Sequence, residues 1–402
     1  MSDTLARKLV VLADSAKYDA SCASTKLARN PAAAPGICHS YTPDGRCVSL
    51  LKILFTNYCI FDCAYCVNRA SNDVPRARFA IEEVVRLTDD FYRRNYIDGL
   101  FLSSGVIQSP DYTMEQIVAV ARSLRVDHAF AGYIHLKAMP GVSQDLLREA
   151  GRWADRLSVN IELPTAHELR RFAPDKSHEA IESVMAGVKN EIDASSDRPG
   201  AGKAAPPAYA AAGQTTQMIV GASGTSDAQI LQTAERLYAR HQLRRVYYTA
   251  YSPIPGQESL LSGKPTPLVR EHRLYQADQL VRNYGFALDE LVDDDRPDLD
   301  LRMDPKVAWA MRHPERWPVD VNTASREALM RVPGFGRHTV KKIIAARKHA
   351  RLRMNDLVRT GARMRVARHF VCTADSRPSS TMDPGLVAQL TSSSEQLTLP
   401  WA

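Results

Sequence analysis

"VSLLKILFTNYCIFDCAYCVNRA", residues 48–70, joins two signals of different kinds. Its first nine residues, 48–56, form a mainly apolar run of the length of a buried strand. Directly after it come Cys59, Cys63 and Cys66, spaced C-x3-C-x2-C, with the aromatic Tyr65 just ahead of the last. A tetrahedral zinc centre takes four ligands, and a disulfide takes two cysteines. Three soft thiolates in one short loop match a third requirement. They can hold three irons of a [4Fe–4S] cluster and leave the fourth iron open to a small molecule. Zinc stays as an alternative, with a fourth ligand drawn from elsewhere in the chain.

Outward from this loop, short apolar runs alternate with helical periodicity. Residues 79–96 place Ile81, Val84, Val85 and Phe91 roughly on one helical face, and 98–104 reads as a short strand. A helix over 113–124 opens on Thr113 as N-cap. Strands at 129–137 and 156–164 flank a helix at 143–151, and a further helix covers 177–192. Strand 215–222, helix 226–242, strand 245–253 and helix 269–286 complete six β-α units. This rhythm predicts an α/β fold, a parallel sheet with helices outside, either an open sheet or a partly closed barrel. Its chemistry belongs in loops at the carboxyl ends of the strands, where the cysteine loop lies.

The flanking segments read differently. Residues 1–47 show weak periodicity and form an N-terminal extension to a core at 48–287. The Ala-, Pro- and Gly-rich stretch 193–214 is expected to be a flexible insertion, and 288–319, which opens acidic, a linker. The aperiodic Ser/Thr-rich chain from 373 to 402 is expected to be a disordered tail.

The composition, 45% hydrophobic and 24% charged over 402 residues, is that of an ordinary globular protein. No apolar run of about 18 residues appears, which excludes a membrane helix. Nor is there an export signal at the N-terminus, so a reducing cytoplasm is expected. There, seven cysteines point to metal or redox chemistry rather than to a disulfide framework. The net charge of +7 is unevenly placed. Residues 320–372 carry thirteen Lys and Arg against three acids, or +10, which leaves about −3 for everything else. A basic terminal module is the footprint of a polyanion binder.

The cysteine spacing with Tyr65 resembles the radical S-adenosylmethionine superfamily, over about residues 48–285. The resemblance implies a partial (β/α)6 barrel with the motif after its first strand. It implies a [4Fe–4S] cluster on Cys59, Cys63 and Cys66, with S-adenosyl-L-methionine at the open iron. Reductive cleavage would give methionine and a 5′-deoxyadenosyl radical that removes hydrogen from a substrate, fed by an electron donor such as flavodoxin or ferredoxin. By the same resemblance Tyr65 lies against the adenine. Ser103, Ser104 and Gly105 then receive the methionine amino group, although the acid usual there is missing. Asn160 and Glu162 meet the ribose or carboxylate, and Gly221 admits the adenine to the backbone. Each of these polar and glycine positions also reads as an ordinary strand-end turn.

A second motif lies in "VNTASREALMRVPGFGRHTVKKIIAARK", residues 321–348. Ala328, Leu329 and Val332 suit one short helix, residues 333–336 a tight turn, and Val340, Ile343 and Ile344 a second helix. Glycines in the turn permit close backbone approach, so helix-terminal amides can address a phosphate. The segment resembles a helix-hairpin-helix, with 354–370 as a degenerate second copy. That resemblance assigns sequence-independent DNA binding to Gly334, Gly336, Arg337, His338, Lys341 and Lys342, within a domain spanning 320–372. An αα-turn used for packing or protein contact is the alternative.

Together the two modules resemble radical proteins described as acting in DNA modification or repair. The expected function is hydrogen abstraction from DNA. The alternatives are a tRNA- or RNA-modifying radical enzyme, and a DNA-binding protein with a structural or redox-sensing cluster. No residue is singled out as catalytic, and Cys22, Cys38 and Cys47 match no ligand pattern.

Overall fold

The computed structural model describes residues 3–17, 36–41, 47–196, 209–254 and 260–378. Cys22, most of the insertion expected at 193–214 and most of the tail expected from 373 lie outside the described residues. The chain divides into two units, one of residues up to Thr225 with Gln232–Thr266, the other of Ser226–Leu231 with the chain from Pro267.

The first unit runs α1 (Asp3–Ala16), β1 (Ile37–Tyr41), β2 (Cys47–Leu54), α2 (Ile81–Arg93), β3 (Gly99–Ser103), α3 (Pro110–Val126), β4 (Tyr133–Lys137) and α4 (Gln144–Trp153). It continues with β5 (Arg156–Ser158), α5 (Ala166–Phe172), α6 (His178–Ser196), β6 (Gln214–Val220), α7 (Asp227–His241), whose residues up to Leu231 are counted with the second unit, and β7 (Arg245–Ala250). Strands β2 to β7 are parallel and stand side by side in chain order, with β1 added antiparallel to β2 at the edge. This is the partial (β/α)6 barrel. Side chains alternate between its two faces. One face is apolar: Leu51, Ile53, Leu100, Leu102, Ile134, Leu136 and Leu157 are fully buried. The other, inner face holds Leu54, Lys137, Gln217 and Ile219 towards a cavity.

Two local readings change. The helix after β3 starts at Pro110, not Thr113. Its N-cap is Ser109, whose hydroxyl accepts from the Tyr112 amide at 3.1 Å. Thr113 is fully buried and donates to the Ser109 carbonyl at 2.8 Å, because Pro110 fits the first helical turn and moves the start upstream. Within residues 1–47, Leu5, Leu9, Leu12 and Ala16 form the buried stripe of α1.

The second unit runs α8 (Leu268–Tyr284), α9 (Pro305–Arg312), β8 (Val319–Asp320), α10 (Arg326–Arg331), α11 (Arg337–Ala346), α12 (Met354–Arg359), α13 (Met364–Ala367) and β9 (Val371–Cys372). An aromatic chain forms its centre: Phe286 to Trp309 at 5.1 Å between rings, Trp309 to Trp317 at 6.1 Å, and Trp317 to Phe370 at 5.2 Å. The first two of these residues flank the 288–304 stretch, and α9 lies within 288–319. Among the described residues no helix is long and apolar enough to cross a membrane.

Candidate functional site

The loop after β2 is shaped by one arginine. Arg76 donates to the carbonyls of Asn57, Asn68, Arg69 and Asn72, so a single guanidinium ties both ends of the cysteine loop together. Asn57 adds a second tie, accepting from the Ala77 amide and donating to the Pro75 carbonyl, each at 2.8 Å. The loop after β3 docks on top. The Ile60 amide donates to the Val106 carbonyl at 2.8 Å, and the Val106 amide to Cys59 Sγ at 3.4 Å. Gly105 makes this docking possible, since a Cβ there would stand 2.2 Å from the Tyr58 carbonyl oxygen and 3.2 Å from Cys59 Cβ.

Cys59, Cys63, Tyr65 and Cys66 line one cavity with Ser104, Gly105, Asn160 and Glu162. Eight of the ten residues expected at a cofactor site are thus brought together. Ser103 is fully buried in β3 and Gly221 is not at the cavity wall. Gly221 has a left-handed backbone, φ +78°, and its missing Cβ leaves room for Thr266 at 2.0 Å. Packing accounts for that glycine.

The cavity is electrically tense. Burial pushes the Cys63 thiol up, and burial with Cys63 beside it pushes Cys66 up to about 12. Tyr65 is held well above its usual value, first by burial, and its hydroxyl is buried with no hydrogen-bond partner. Lys176, which nothing in the sequence pointed to, pairs with Glu162 at 2.7 Å and lies 5.9 Å from the centre of the Tyr65 ring. Burial works against its charge, but Cys63 and Glu162 hold it well above the usual lysine range. Glu162 is itself in the left-handed region, φ +68°, a strain that surrounding structure must hold in place. Ser15, Arg69, Lys137 and Gln217 complete much of the polar wall and were also missed. Their signal, single polar residues in apolar or loop segments, becomes legible only with the register. Among the described residues no three His, Cys, Asp or Glu side chains are grouped so as to hold a single metal ion.

In the second unit, α10, the turn and α11 form a hairpin, and α12 with α13 form a second. Gly334 and Gly361 occupy matching left-handed positions, φ +83° and +85°. The two hairpins interlock, with the Arg363 amide donating to the Gly334 carbonyl at 3.0 Å. A Cβ on Gly334 would meet the Arg363 carbonyl oxygen at 2.8 Å, whereas one on Gly336 would meet only the Tyr284 hydroxyl, at 3.8 Å. Lys306 is buried and donates to the Phe335 carbonyl at 2.8 Å from a position 4.7 Å over the Tyr284 ring. Tyr284 in turn accepts from the Arg337 amide. Arg337, His338, Lys341 and Lys342 are all exposed on the start of α11, and Arg337 also reaches Asn283 at 3.1 Å.

Residues 316–356 match the protein-family description "Helix-hairpin-helix motif". No curated protein matches the chain. Similar solved structures include the [FeFe]-hydrogenase maturase HydG from Carboxydothermus hydrogenoformans, at 13% identity and TM-score 0.43, covering 57% of this chain and 50% of that one. Methylornithine synthase PylB shows 14% identity and TM-score 0.41, covering 77% and 84%. Coproporphyrinogen III oxidase HemN from Escherichia coli, described as a radical SAM enzyme, shows 16% and 0.37, covering 64% and 56%. The chain therefore spans about half the length of HydG.

Proposed function

We propose that this protein is a radical S-adenosylmethionine enzyme that modifies or repairs DNA by hydrogen abstraction. The observation that carries the reading is the convergence of Cys59, Cys63 and Cys66 on one cavity at the carboxyl ends of the half-barrel strands. The donor set fits a cluster better than zinc. Three thiols line one cavity and can give one sulfur to each of three irons, and the fourth iron needs no protein ligand. A metal group binds thiolates, so it would replace the protons that burial keeps on Cys63 and Cys66. When bound there, a [4Fe–4S] cluster with S-adenosyl-L-methionine would supply reductive cleavage and a hydrogen-abstracting radical.

The chain's own residues do the remaining work. Asn160 and Glu162 offer polar contacts to the sugar or carboxylate of the cofactor, and Gly105 and Ser104 offer backbone and hydroxyl groups to its amine. Lys176 balances thiolate charge and fixes Glu162. Tyr65 presents an unsatisfied hydroxyl and a ring face. A reductant such as flavodoxin or ferredoxin would feed the site.

The helix-hairpin-helix supports nucleic acid as the substrate-bearing partner, through phosphate contacts that position without reading sequence. Anaerobic reconstitution tests the first half. About four irons per chain are expected, together with S-adenosylmethionine cleavage under reduction, and Cys63→Ala should lose both. Stoichiometric zinc without iron would end the reading.

A further inference from the structure

Among the described residues, one cation on the wall of the cysteine cavity is left with an unmet donor. Arg69 lines that cavity and is only 7% exposed. Its Nε donates to Ser71 Oγ at 3.2 Å, and Ser71 Oγ donates to Asp62 Oδ1 at 2.7 Å. The exposed Asp62 carboxylate thus reaches the guanidinium through a hydroxyl, and the two charges act on each other across it. Nη1 is buried and has no hydrogen-bond partner. Native folds leave few buried polar atoms unpaired, and a charged donor is among the costliest to leave so. An unmet donor on a cavity wall calls for an acceptor that enters with a ligand.

Arg69 belongs to the cysteine loop itself. Its amide donates to the Cys66 carbonyl at 3.3 Å, and its own carbonyl accepts from Arg76 at 2.7 Å. Backbone and Nε are both fixed, so the guanidinium is held at the cavity that the thiols share. The other charged groups of the wall are less suited to an anion. Glu162 is an acid, and Lys176 is already paired with it at 2.7 Å. A carboxylate placed against Glu162 would meet like charge. Lys137, at the end of β4, is the remaining cation of the wall. A guanidinium presents a planar fork that matches a carboxylate, which an ammonium does not.

We propose that Arg69 receives the carboxylate at the amino-acid end of S-adenosylmethionine and so holds that ligand in the cysteine cavity. This deepens the function proposed above and rests on its cofactor. It also divides the polar wall: the oxyanion goes to Arg69, and Asn160 and Glu162 are left to the sugar hydroxyls.

The test is calorimetric titration of full-length reconstituted protein, anaerobic and without reductant so that no cleavage occurs. The ligands are S-adenosylmethionine and its decarboxylated analogue, which keeps the amine, sulfonium, sugar and adenine. Arg69→Gln should weaken S-adenosylmethionine about 10- to 100-fold, the loss of one charge-assisted pair, and leave the analogue little changed. Arg69→Lys should recover part of the loss, since it keeps the charge without the fork. Iron content is read in every sample. Should Arg69→Gln lose its iron, Ser71→Ala decides. It frees Nε, keeps the charge, and should weaken S-adenosylmethionine severalfold with the analogue again little changed. Equal weakening of both ligands overturns the proposal, because a collapsed wall would do the same. So does S-adenosylmethionine binding that is unchanged in the variant that keeps its iron, or that is lost through Lys137→Met and not through Arg69→Gln. In those cases wild-type protein with about four irons and bound S-adenosylmethionine leaves the enzyme reading intact. Wild-type protein that takes up neither iron nor S-adenosylmethionine removes both.

Discussion

Gly334 and Gly336 stand two residues apart in one turn, and replacing each by alanine should have opposite effects. At Gly334 the backbone is left-handed, which costs an alanine about 1–2 kcal/mol. Its Cβ would also meet the Arg363 carbonyl at 2.8 Å, an overlap worth a further 1–3 kcal/mol or so. Gly334→Ala should therefore lower stability by about 2–5 kcal/mol, seen as a drop of roughly 10 °C or more in the melting of this unit. At Gly336 the backbone is extended, φ −95° and ψ 168°, and the nearest atom to an added Cβ is 3.8 Å away. Gly336→Ala should leave stability unchanged or raise it by a few tenths of a kcal/mol or so. Nothing within this unit requires glycine at 336. If a phosphate does, the alanine blocks its approach to the amides of α11, and loss of one charge-assisted contact weakens duplex binding about 10- to 100-fold. Thermal unfolding and fluorescence anisotropy with labelled duplex separate the two. Unchanged DNA binding by a fully stable Gly336→Ala protein would refute backbone-to-phosphate recognition at this turn.

Other outcomes follow from the same geometry. Gly105→Ala would drive a methyl into the Tyr58 carbonyl and push the cysteine loop aside, so iron retained after reconstitution should fall well below wild type with the secondary structure preserved. Burial holds Lys306 down to about 7, against an ordinary lysine value of 10.5. Between those values the unfolded chain binds the proton that the folded one does not, so stability of the second unit should rise from pH 7 towards pH 10. Lys306→Met should flatten that rise in urea unfolding at pH 7 and pH 9, and an unaltered slope would remove Lys306 as its source. Lys341→Ala should weaken DNA binding and reduce its salt slope by about one unit if the exposed side chain meets a phosphate.

The alternation of strands and helices was legible because each strand of the sheet turns an apolar face to the helices. Leu51, Ile53, Leu100 and Leu102 announce it even in single sequence. The cysteine spacing and the hairpin glycines were legible for the same reason: each is local. What stayed hidden depends on partners far along the chain. Lys176 matters only because a left-handed turn at Glu162 brings a carboxylate to it. That Lys52, Arg156 and Arg245 share one face of the sheet follows only from the register of strands far apart in the chain. Helix α1 was a different failure. Its stripe of Leu5, Leu9, Leu12 and Ala16 has helical spacing, but the irregular residues after it masked the signal. The span of β5 was overestimated, because only Arg156–Ser158 stay in the sheet before the chain turns towards the cavity.

The guanidinium of Arg76 fixes the cysteine loop from within, through carbonyls that are neither thiol nor cofactor. Small metal domains whose ligands hang on otherwise unstructured chain fold only when loaded, and are degraded when stripped. A loop anchored in this way keeps its receptacle when empty. If that receptacle holds the proposed cluster, damage by oxygen would remove a replaceable part rather than destroy the protein, and an emptied chain could be refilled without being made anew.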